Sequence, residues 1–162
     1  MMIDPHQFCE ALGRFATGVT IVTALDGAGR PVGLTANSFN SVSLDPPMVL
    51  WSLATRSRNL GAFCDASHYA INILAADQRH LSDRFARPVE DRFADVEWEE
   101  GIGGVPLISG TTAVFECEND TRVPAGDHVV FLGKVVSFAH DEKEPLIFHA
   151  GRYTIPRAGL SG

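Results

Sequence analysis

The spacing of apolar and polar residues predicts more strands than helices in this chain. Residues Thr17 to Ala24, Met48 to Leu53 and Tyr69 to Leu74 are rich in β-branched and apolar side chains and are too short for helices. The segment from Thr111 to Glu118 alternates between two faces, and the segment from Val129 to Phe138 is the longest strand candidate. We therefore expect a mainly β protein.

Turn and capping residues predict short helices between these strands. The sequence Asp26-Gly27-Ala28-Gly29 is a turn, after which Pro31 to Asn37 is expected to return as the second arm of a hairpin. A charged, glycine-rich stretch over 92–104 is expected to be a surface loop, and Pro145 to His149 to lead a last short strand. Asp4 is expected to cap a first helix that ends at about Phe15. Ser57 is expected to cap a second helix that ends at Ala66. Asp77 is expected to cap a third helix that carries Leu81 and Phe85.

The order of these elements indicates the fold class. Strands outnumber helices, and they do not alternate regularly with helices as they do in a doubly wound sheet. A closed antiparallel barrel with short peripheral helices fits best, while periodicity alone leaves barrel and sandwich unresolved. No internal repeat or linker stands out, so residues 1–162 are expected to form a single domain.

Composition narrows the class of protein further. A net charge of −7, with only 13 Lys and Arg residues scattered over 162 positions, argues against binding to a nucleic-acid backbone. The start of the chain lacks the basic and apolar regions of a signal peptide, and no segment approaches about 18 consecutive apolar residues, so no membrane association is expected. The expected location is the reducing cytoplasm.

The cysteines do not indicate a metal or redox site. Cys9, Cys64 and Cys117 are odd in number and far apart, without the paired spacing of zinc ligands or a thioredoxin motif. We expect plain buried or half-buried thiols, and no metal site.

Local catalytic motifs are largely absent. The sequence has no GxGxxG after a strand, no phosphate loop, no GxSxG and no HExxH. Asp127 and His128 are adjacent, but neighbours on a strand point to opposite faces, so the carboxylate is not expected to orient the imidazole. A hydrolytic triad is therefore not expected.

One segment is chemically distinctive. The sequence GLTANSFNSVSLDPP, from Gly33 to Pro47, combines small hydroxyl and amide residues with β-branched ones. Such residues leave backbone N–H and C=O groups accessible to a flat polar ligand, although a polar loop capped by Ser and Thr side chains has the same composition. This segment is the first candidate for a binding site.

Four blocks together resemble the short-chain flavin reductases, the NAD(P)H:flavin oxidoreductase components of two-component monooxygenases. The blocks are RFATGVTIVT from Arg14, GLTANSFNSVSLDPP from Gly33, Gly126-Asp127-His128, and Gly151-Arg152-Tyr153. The resemblance covers essentially the whole chain. It implies an FMN-binding split barrel: six antiparallel strands in a Greek-key arrangement, short peripheral helices, and flavin bound near the interface of a homodimer.

The resemblance also implies roles for individual residues. Ser57 and Arg58 are expected at the flavin phosphate, although Arg56-Ser57-Arg58-Asn59 departs from the Ser/Thr-rich stretch more common in the family. Arg84 and Arg92 are interpreted as ordinary loop charges. The residues expected to line the isoalloxazine ring or ribityl chain are Thr35, Ala36, Asn37 and Ser38, with Ser52, Leu53 and Ala54 as a second wall, and with His128, Arg152 and Tyr153 on the nicotinamide side.

The implied activity is hydride transfer from NADH or NADPH to FMN or FAD, which supplies reduced flavin to a partner monooxygenase. His128 is the expected catalytic residue, in a positioning and electrostatic role, because the cofactors carry the chemistry and no strong acid–base pair is required. Three alternatives stay open: a non-enzymatic flavin-binding or electron-carrying split barrel, a dimer with a role only in assembly, and a reductase of another acceptor such as a corrinoid. Whether flavin is a prosthetic group or an exchangeable substrate also stays open.

Overall fold

Short strands make up most of the ordered structure. The computed structural model describes residues 1–159, which form three α-helices, two short 3-10 helices and twelve strands. The helices are α1 (Pro5–Leu12), α2 (Leu60–Asp65) and α3 (Arg79–Ala86). The strands are β1 (Thr17–Gly18), β2 (Thr20–Leu25), β3 (Pro31–Ala36), β4 (Asn40–Leu44), β5 (Pro47–Ala54), β6 (His68–Ile73), β7 (Trp98–Glu100), β8 (Pro106–Ile108), β9 (Ala113–Ala125), β10 (His128–His140), β11 (Ile147–His149) and β12 (Arg152–Thr154).

Seven of these strands form one antiparallel sheet, in the order β3-β2-β6-β9-β10-β5-β4. The hairpin of β9 and β10, with 13 residues in each strand, forms its middle. Strands β1, β11 and β12 form a second sheet, and β7 pairs with β8. Among residues 1–159, β3 and β4 are the two edges of the large sheet and do not pair with each other.

The large sheet curls around an aromatic core. Leu34 of β3 and Leu53 of β5 belong to one buried cluster, although their strands lie near opposite ends of the strand order. Trp51 is at the centre of this cluster and stacks on Phe131, its partner across β5 and β10, with ring centroids 4.5 Å apart. Because both ends of the sheet contribute to the same core, the sheet must bend back on itself.

A second core lies on the opposite face of the sheet. Neighbouring residues of a strand point to opposite faces, and in β2 Val22 belongs to the aromatic core while Ile21 belongs to the second cluster. Helix α3 contributes Leu81 and Phe85 to that cluster. The strands between the two cores are therefore covered on both faces, which explains why β2 is buried from Thr20 to Ala24, its two threonines included.

The helices are confirmed as short, but two of the three expected caps are wrong. Asp4 does cap α1, because its carboxylate accepts hydrogen bonds from the amides of His6 and Gln7 at 2.8 and 3.0 Å. The N-caps of α2 and α3 are Asn59 and Gln78, not Ser57 and Asp77. Ser57 instead accepts from the Asn59 amide at 3.2 Å, and Asp77 lies in a 3-10 helix.

The mainly β class with few, short helices is confirmed, but a closed six-stranded barrel is not. The large sheet has seven strands, because segment 33–47, interpreted as a candidate binding site or a capped polar loop, also contains strand β4. Its residues are mostly Asn and Ser, which have little intrinsic preference for strands, so its pairing with β5 decides its conformation. Strands β7 and β8 likewise occupy the expected surface loop and its edge.

The exposure of the three cysteines can be compared with the predictions. Cys117 is buried and Cys64 half-buried as predicted, whereas Cys9 is exposed on α1. Burial raises the pKa of the Cys117 thiol to about 12.

In residues 1–159, no helix is both long enough and apolar enough to span a bilayer. The expected single domain, 1–162, stays a prediction, and residues 160–162 lie outside the described part.

Gly133 of β10 gives a test of this core. A methyl group there would meet the Tyr69 hydroxyl and the Cys117 Cβ, so Gly133→Ala is expected to lower the free energy of unfolding by about 1–3 kcal/mol. Gly61→Ala is the matched control, because that position in α2 has open space and alanine favours helix. Denaturant titration measures both variants; equal stability of the two would contradict this account of the core.

Candidate functional site

A cavity of about 750 Å³ lies between edge strand β3 and the end of β5. Thr35 contributes from β3, and Leu53 and Ala54 from β5. The loop after β5 and the segment after α3 complete the walls. The volume is within the range of sites for small molecules and cofactors.

Backbone groups of β3 that pair with no other strand within residues 1–159 point away from β2, because β3 is a sheet edge. The Gly33 carbonyl accepts from the Arg92 guanidinium at 2.8 Å, so it points away from β2. In an antiparallel ladder alternate residues share a direction, and the N–H and C=O of Thr35 therefore also point away from β2. These groups can bind the polar edge of a flat ligand.

The Thr35 side chain is held by α3. Its hydroxyl donates to the Ser82 carbonyl at 2.7 Å. Because that donor is already used, Thr35 can offer a ligand only its backbone groups and the remaining acceptor capacity of its oxygen. Helix α3 thus fixes the orientation of the β3 wall.

Three arginines give one end of the cavity its positive charge. Arg56 and Arg58 follow β5, and Arg92 comes from the loop after α3. Within residues 1–159 none of the three forms an ion pair, although Glu90 and Asp91 also line the cavity. Converging guanidinium groups without a paired carboxylate favour an anionic ligand.

Arg92 was interpreted from sequence as an ordinary loop charge, and the structure corrects this. Its guanidinium donates to the carbonyls of Gly33 at 2.8 Å and Arg87 at 3.0 Å, which fixes it against the cavity wall. Burial lowers the pKa of Arg92, and the positive charge of Arg58 lowers it further. No local motif marks this residue, because its partner Gly33 is 59 positions away in the chain.

The second predicted wall is built around a serine pair. The Ser38 hydroxyl accepts from the Ser52 amide at 2.9 Å and lies 3.3 Å from the Ser52 carbonyl. The pairing of β4 with β5 stops at Leu50, and the Ser38 hydroxyl provides the contact to β5 beyond that point. Ala36 is half-buried at the end of β3, and Asn37 is exposed in the connection that follows.

His128 does not line the cavity but lies at its rim, next to Ala54, and its relation to Asp127 was wrongly predicted. His128 begins β10 and pairs with Ala54, a cavity residue of β5. Its Nδ1 is 2.7 Å from Asp127 Oδ1, so the carboxylate does contact the neighbouring imidazole. Asp127 is not on a strand: it follows Gly126, whose φ of +59° turns the chain, so the alternation of faces does not apply.

Arg152 and Tyr153 do not line the cavity. The Tyr153 hydroxyl is 2.7 Å from Ser82 Oγ and donates to Asp83 Oδ1 at 3.3 Å, and the Arg79 guanidinium lies 4.9 Å from the ring centre. Tyr153 therefore joins β12 to α3. As its neighbour on the strand, Arg152 points to the opposite, exposed side.

The structure brings part of the predicted set together. Thr35, Leu53, Ala54, Ser57 and Arg58 all line the same cavity. Ser38 and Ser52 support its β5 wall, and His128 is at its rim. The assignment of these residues to a cofactor or to catalysis stays a prediction.

Comparison with known proteins supplies the family. The family model described as the flavin reductase like domain matches residues 12–156. The chain belongs to this family. Relatives of this flavin reductase-like chain are named flavin reductases and reductase components of monooxygenases, which confirms the resemblance seen in the sequence.

Two curated relatives illustrate the likeness. A protein of Agrobacterium fabrum named FMN reductase (NADH) SmoA is 50% identical over 150 residues, covering 93% of this chain and 85% of its own length. The stachydrine N-demethylase reductase subunit Stc3 of Rhizobium meliloti is 46% identical over 155 residues, covering 96% and 67%. The chain spans about half the length of another Rhizobium meliloti relative, with which it shares 49% identity.

Solved structures have the same fold. The Streptomyces globisporus NADH:FAD oxidoreductase SgcE6, solved in complex with NAD and FAD fragments, superposes with a TM-score of 0.92 at 34% identity, covering 99% of both chains. The flavin reductase PheA2 superposes with a TM-score of 0.89 at 40% identity, covering 96% of this chain and 99% of its own. The curled sheet is therefore the fold of flavin reductases.

The contact between Tyr153 and Ser82 can be tested by its effect on stability. Tyr153→Phe keeps the ring but removes the hydroxyl, and is expected to lower the free energy of unfolding by about 1 kcal/mol. Tyr69→Phe is the matched control, since the buried Tyr69 hydroxyl has no hydrogen-bond partner among residues 1–159. That variant is expected to be unchanged or more stable. Denaturant titration giving the reverse order would contradict these contacts.

Proposed function

We propose that this chain is an NAD(P)H-dependent flavin reductase, which transfers hydride from the nicotinamide to FMN or FAD. The observation that carries the proposal is the cavity between β3 and β5, with the edge-strand backbone of Thr35 on one wall and, at one end, guanidinium groups that form no ion pair within residues 1–159. This distribution matches a flat polar ring with an anionic tail. The names of the relatives support the same activity.

The residues present fit a flavin. Thr35, Ala36, Asn37 and Ser38 would hold the ring or the ribityl chain, and Ser52, Leu53 and Ala54 would form the facing wall. Ser57 and Arg58 would hold the phosphate, and Arg92, fixed by two carbonyls, adds a second guanidinium to that end.

The bound flavin and the pyridine nucleotide supply the hydride transfer themselves. The chain therefore binds and orients the flavin and the pyridine nucleotide, and it excludes water from them. Backbone N–H groups of an edge strand are fixed donors, and such donors stabilise negative charge at a ligand without having to reorganise. His128 at the rim is assigned to the nicotinamide side, together with Arg152 and Tyr153, which the family resemblance assigns to the same region.

Two alternatives would use the same cavity. A flavin-binding electron carrier would bind FMN without oxidising NADH, and a related reductase would pass electrons to another acceptor such as a corrinoid. Relatives named as reductase components of monooxygenases favour delivery of reduced flavin to an oxygenase partner.

The six-stranded split barrel also remains a proposal, in which β4 is an additional strand at the edge of the sheet.

The activity is tested by mixing the chain with NADH or NADPH and FMN or FAD and following absorbance of the reduced nicotinamide. We expect steady turnover that requires both substrates. Flavin binding without nicotinamide oxidation would favour the electron carrier, and absence of both would contradict the proposal.

Arg58 tests the anionic end of the cavity. Arg58→Ala is expected to weaken FMN by roughly tenfold and riboflavin little, because a charge-assisted guanidinium–phosphate contact is available only to FMN. Arg157→Ala is the control, since Arg157 is exposed and does not line the cavity. Fluorescence titration measures both ligands; equal losses for FMN and riboflavin would assign Arg58 to the surface.

We also propose a homodimer. Phe15, Leu44 and Phe138 are 78%, 94% and 66% exposed, and α1 has no buried residue, so several apolar surfaces of the single chain face solvent. Light scattering at micromolar concentration is expected to give about 35 kDa, twice 17.5 kDa. A stable monomer with full flavin affinity would contradict it.

A further inference from the structure

The pair of Asp127 and His128 at the cavity rim has a defined geometry. Asp127 Oδ1 lies 2.7 Å from His128 Nδ1, a short hydrogen-bond distance. An ionised carboxylate can only accept, so this contact requires the proton on Nδ1. Since Nδ1 is used, Nε2 is the ring nitrogen left for a ligand.

The charge of Asp127 agrees with this assignment. The hydrogen bond from His128 lowers the pKa of the Asp127 carboxyl most strongly, followed by the charge of His128, and Arg56 lowers it further. The carboxyl is therefore ionised throughout the neutral pH range.

Asp127 is also held in place through its backbone. Its carbonyl accepts from the Thr55 amide at 2.9 Å and from the Thr55 hydroxyl at 3.1 Å. Thr55 follows the end of β5 and directly precedes Arg56 of the cavity, and His128 pairs with Ala54, the last residue of β5. The backbone of Asp127 is therefore fixed relative to the cavity wall, and its side chain reaches His128 from that position.

A role in stability does not account for this arrangement. The side chains of Asp127 and His128 are 93% and 48% exposed. Pairs so accessible to solvent contribute little to folding, because water screens the charges and two side chains lose freedom. The value of this pair beside the cavity therefore lies in the nitrogen that His128 presents to a ligand.

We propose that Asp127 is a positioning residue that holds His128 as the Nδ1–H tautomer and thereby presents Nε2 to the pyridine nucleotide at the cavity rim. This inference rests on the proposed function, which assigns His128 to the nicotinamide side. It gives Asp127 a role without direct contact with either cofactor. Hydride transfer depends on the alignment of the two rings. An imidazole that is mobile, or that carries its proton on Nε2, is therefore expected to slow the transfer.

Asp127→Asn tests the inference, because asparagine keeps the shape but changes which imidazole nitrogen is protonated, as occurs when the aspartate of a serine-protease triad is replaced. We expect kcat/KM for NADH to fall about tenfold, as is common when the orienting partner of a ligating histidine is lost. FMN affinity and melting temperature are expected to stay unchanged.

A double-mutant cycle with His128→Ala separates positioning from other effects. If Asp127 acts through the imidazole, Asp127→Asn has no further effect on kcat/KM in the His128→Ala background. Asp77→Asn removes the same charge from an exposed site outside the cavity and is the control. A full additional loss in the His128→Ala background, or wild-type kcat/KM in Asp127→Asn, would overturn the inference.

Nitrogen NMR of 15N-histidine-labelled protein gives a readout independent of turnover. With His128→Ala used to assign the signal, we expect neutral His128 to carry its proton on Nδ1 in the wild type and on Nε2 in Asp127→Asn. The same tautomer in both proteins would overturn the inference. Failure of the wild type to oxidise NADH would instead contradict the proposed function and leave this tautomer measurement valid as its own test.

Discussion

The candidate site depends on the fact that the large sheet does not close between β3 and the end of β5. The sheet curls far enough for Leu34 and Leu53 to share the aromatic core, yet β3 pairs with another strand on one side only. Backbone N–H and C=O groups at such an edge need partners, and an unprotected edge is a liability for association with other chains. Here the edge forms one wall of the cavity: Arg92 donates to the Gly33 carbonyl, and the backbone groups of Thr35 point away from β2.

The charge of the cavity follows from how its arginines are held. Two backbone carbonyls orient Arg92, whereas burial and the positive charge of Arg58 at the same end of the cavity both lower its pKa and so disfavour its charged form. Desolvated charges of one sign are unfavourable until an anion enters. A protein with a net charge of −7 can therefore bind an anionic cofactor, because local geometry and not overall charge determines the potential inside the cavity.

Hydrogen bonds of helix α3 and of the turn before β10 connect the cavity walls to the rest of the molecule. Ser82 accepts from Thr35 through its carbonyl and meets Tyr153 through its hydroxyl, so one buried residue joins the β3 wall to the small C-terminal sheet. On the opposite side, Thr55 and Asp127 tie the loop after β5 to the start of β10. The cavity is thus supported at both ends by hydrogen bonds between elements distant in sequence, which favours a preorganised site.

Much of the fold follows from local sequence, because alternation of apolar residues and the chemistry of turns act over a few positions. That is why β2, β3, β5, β6 and parts of β9 and β10 were predictable as strands, and why the four blocks sufficed to indicate the family. Strand β4 was not, since its Asn and Ser residues become a strand only by pairing with β5. Arg92 and Asp127 were missed for a related reason: the partner of one is 59 residues away, and the orientation of the other depends on the positive φ of Gly126. The sequence by itself determined most of the strands and the family they build, whereas the tertiary structure decided the remaining strands and which side chains meet, because pairing and hydrogen bonds across the fold leave no periodic signal in the chain.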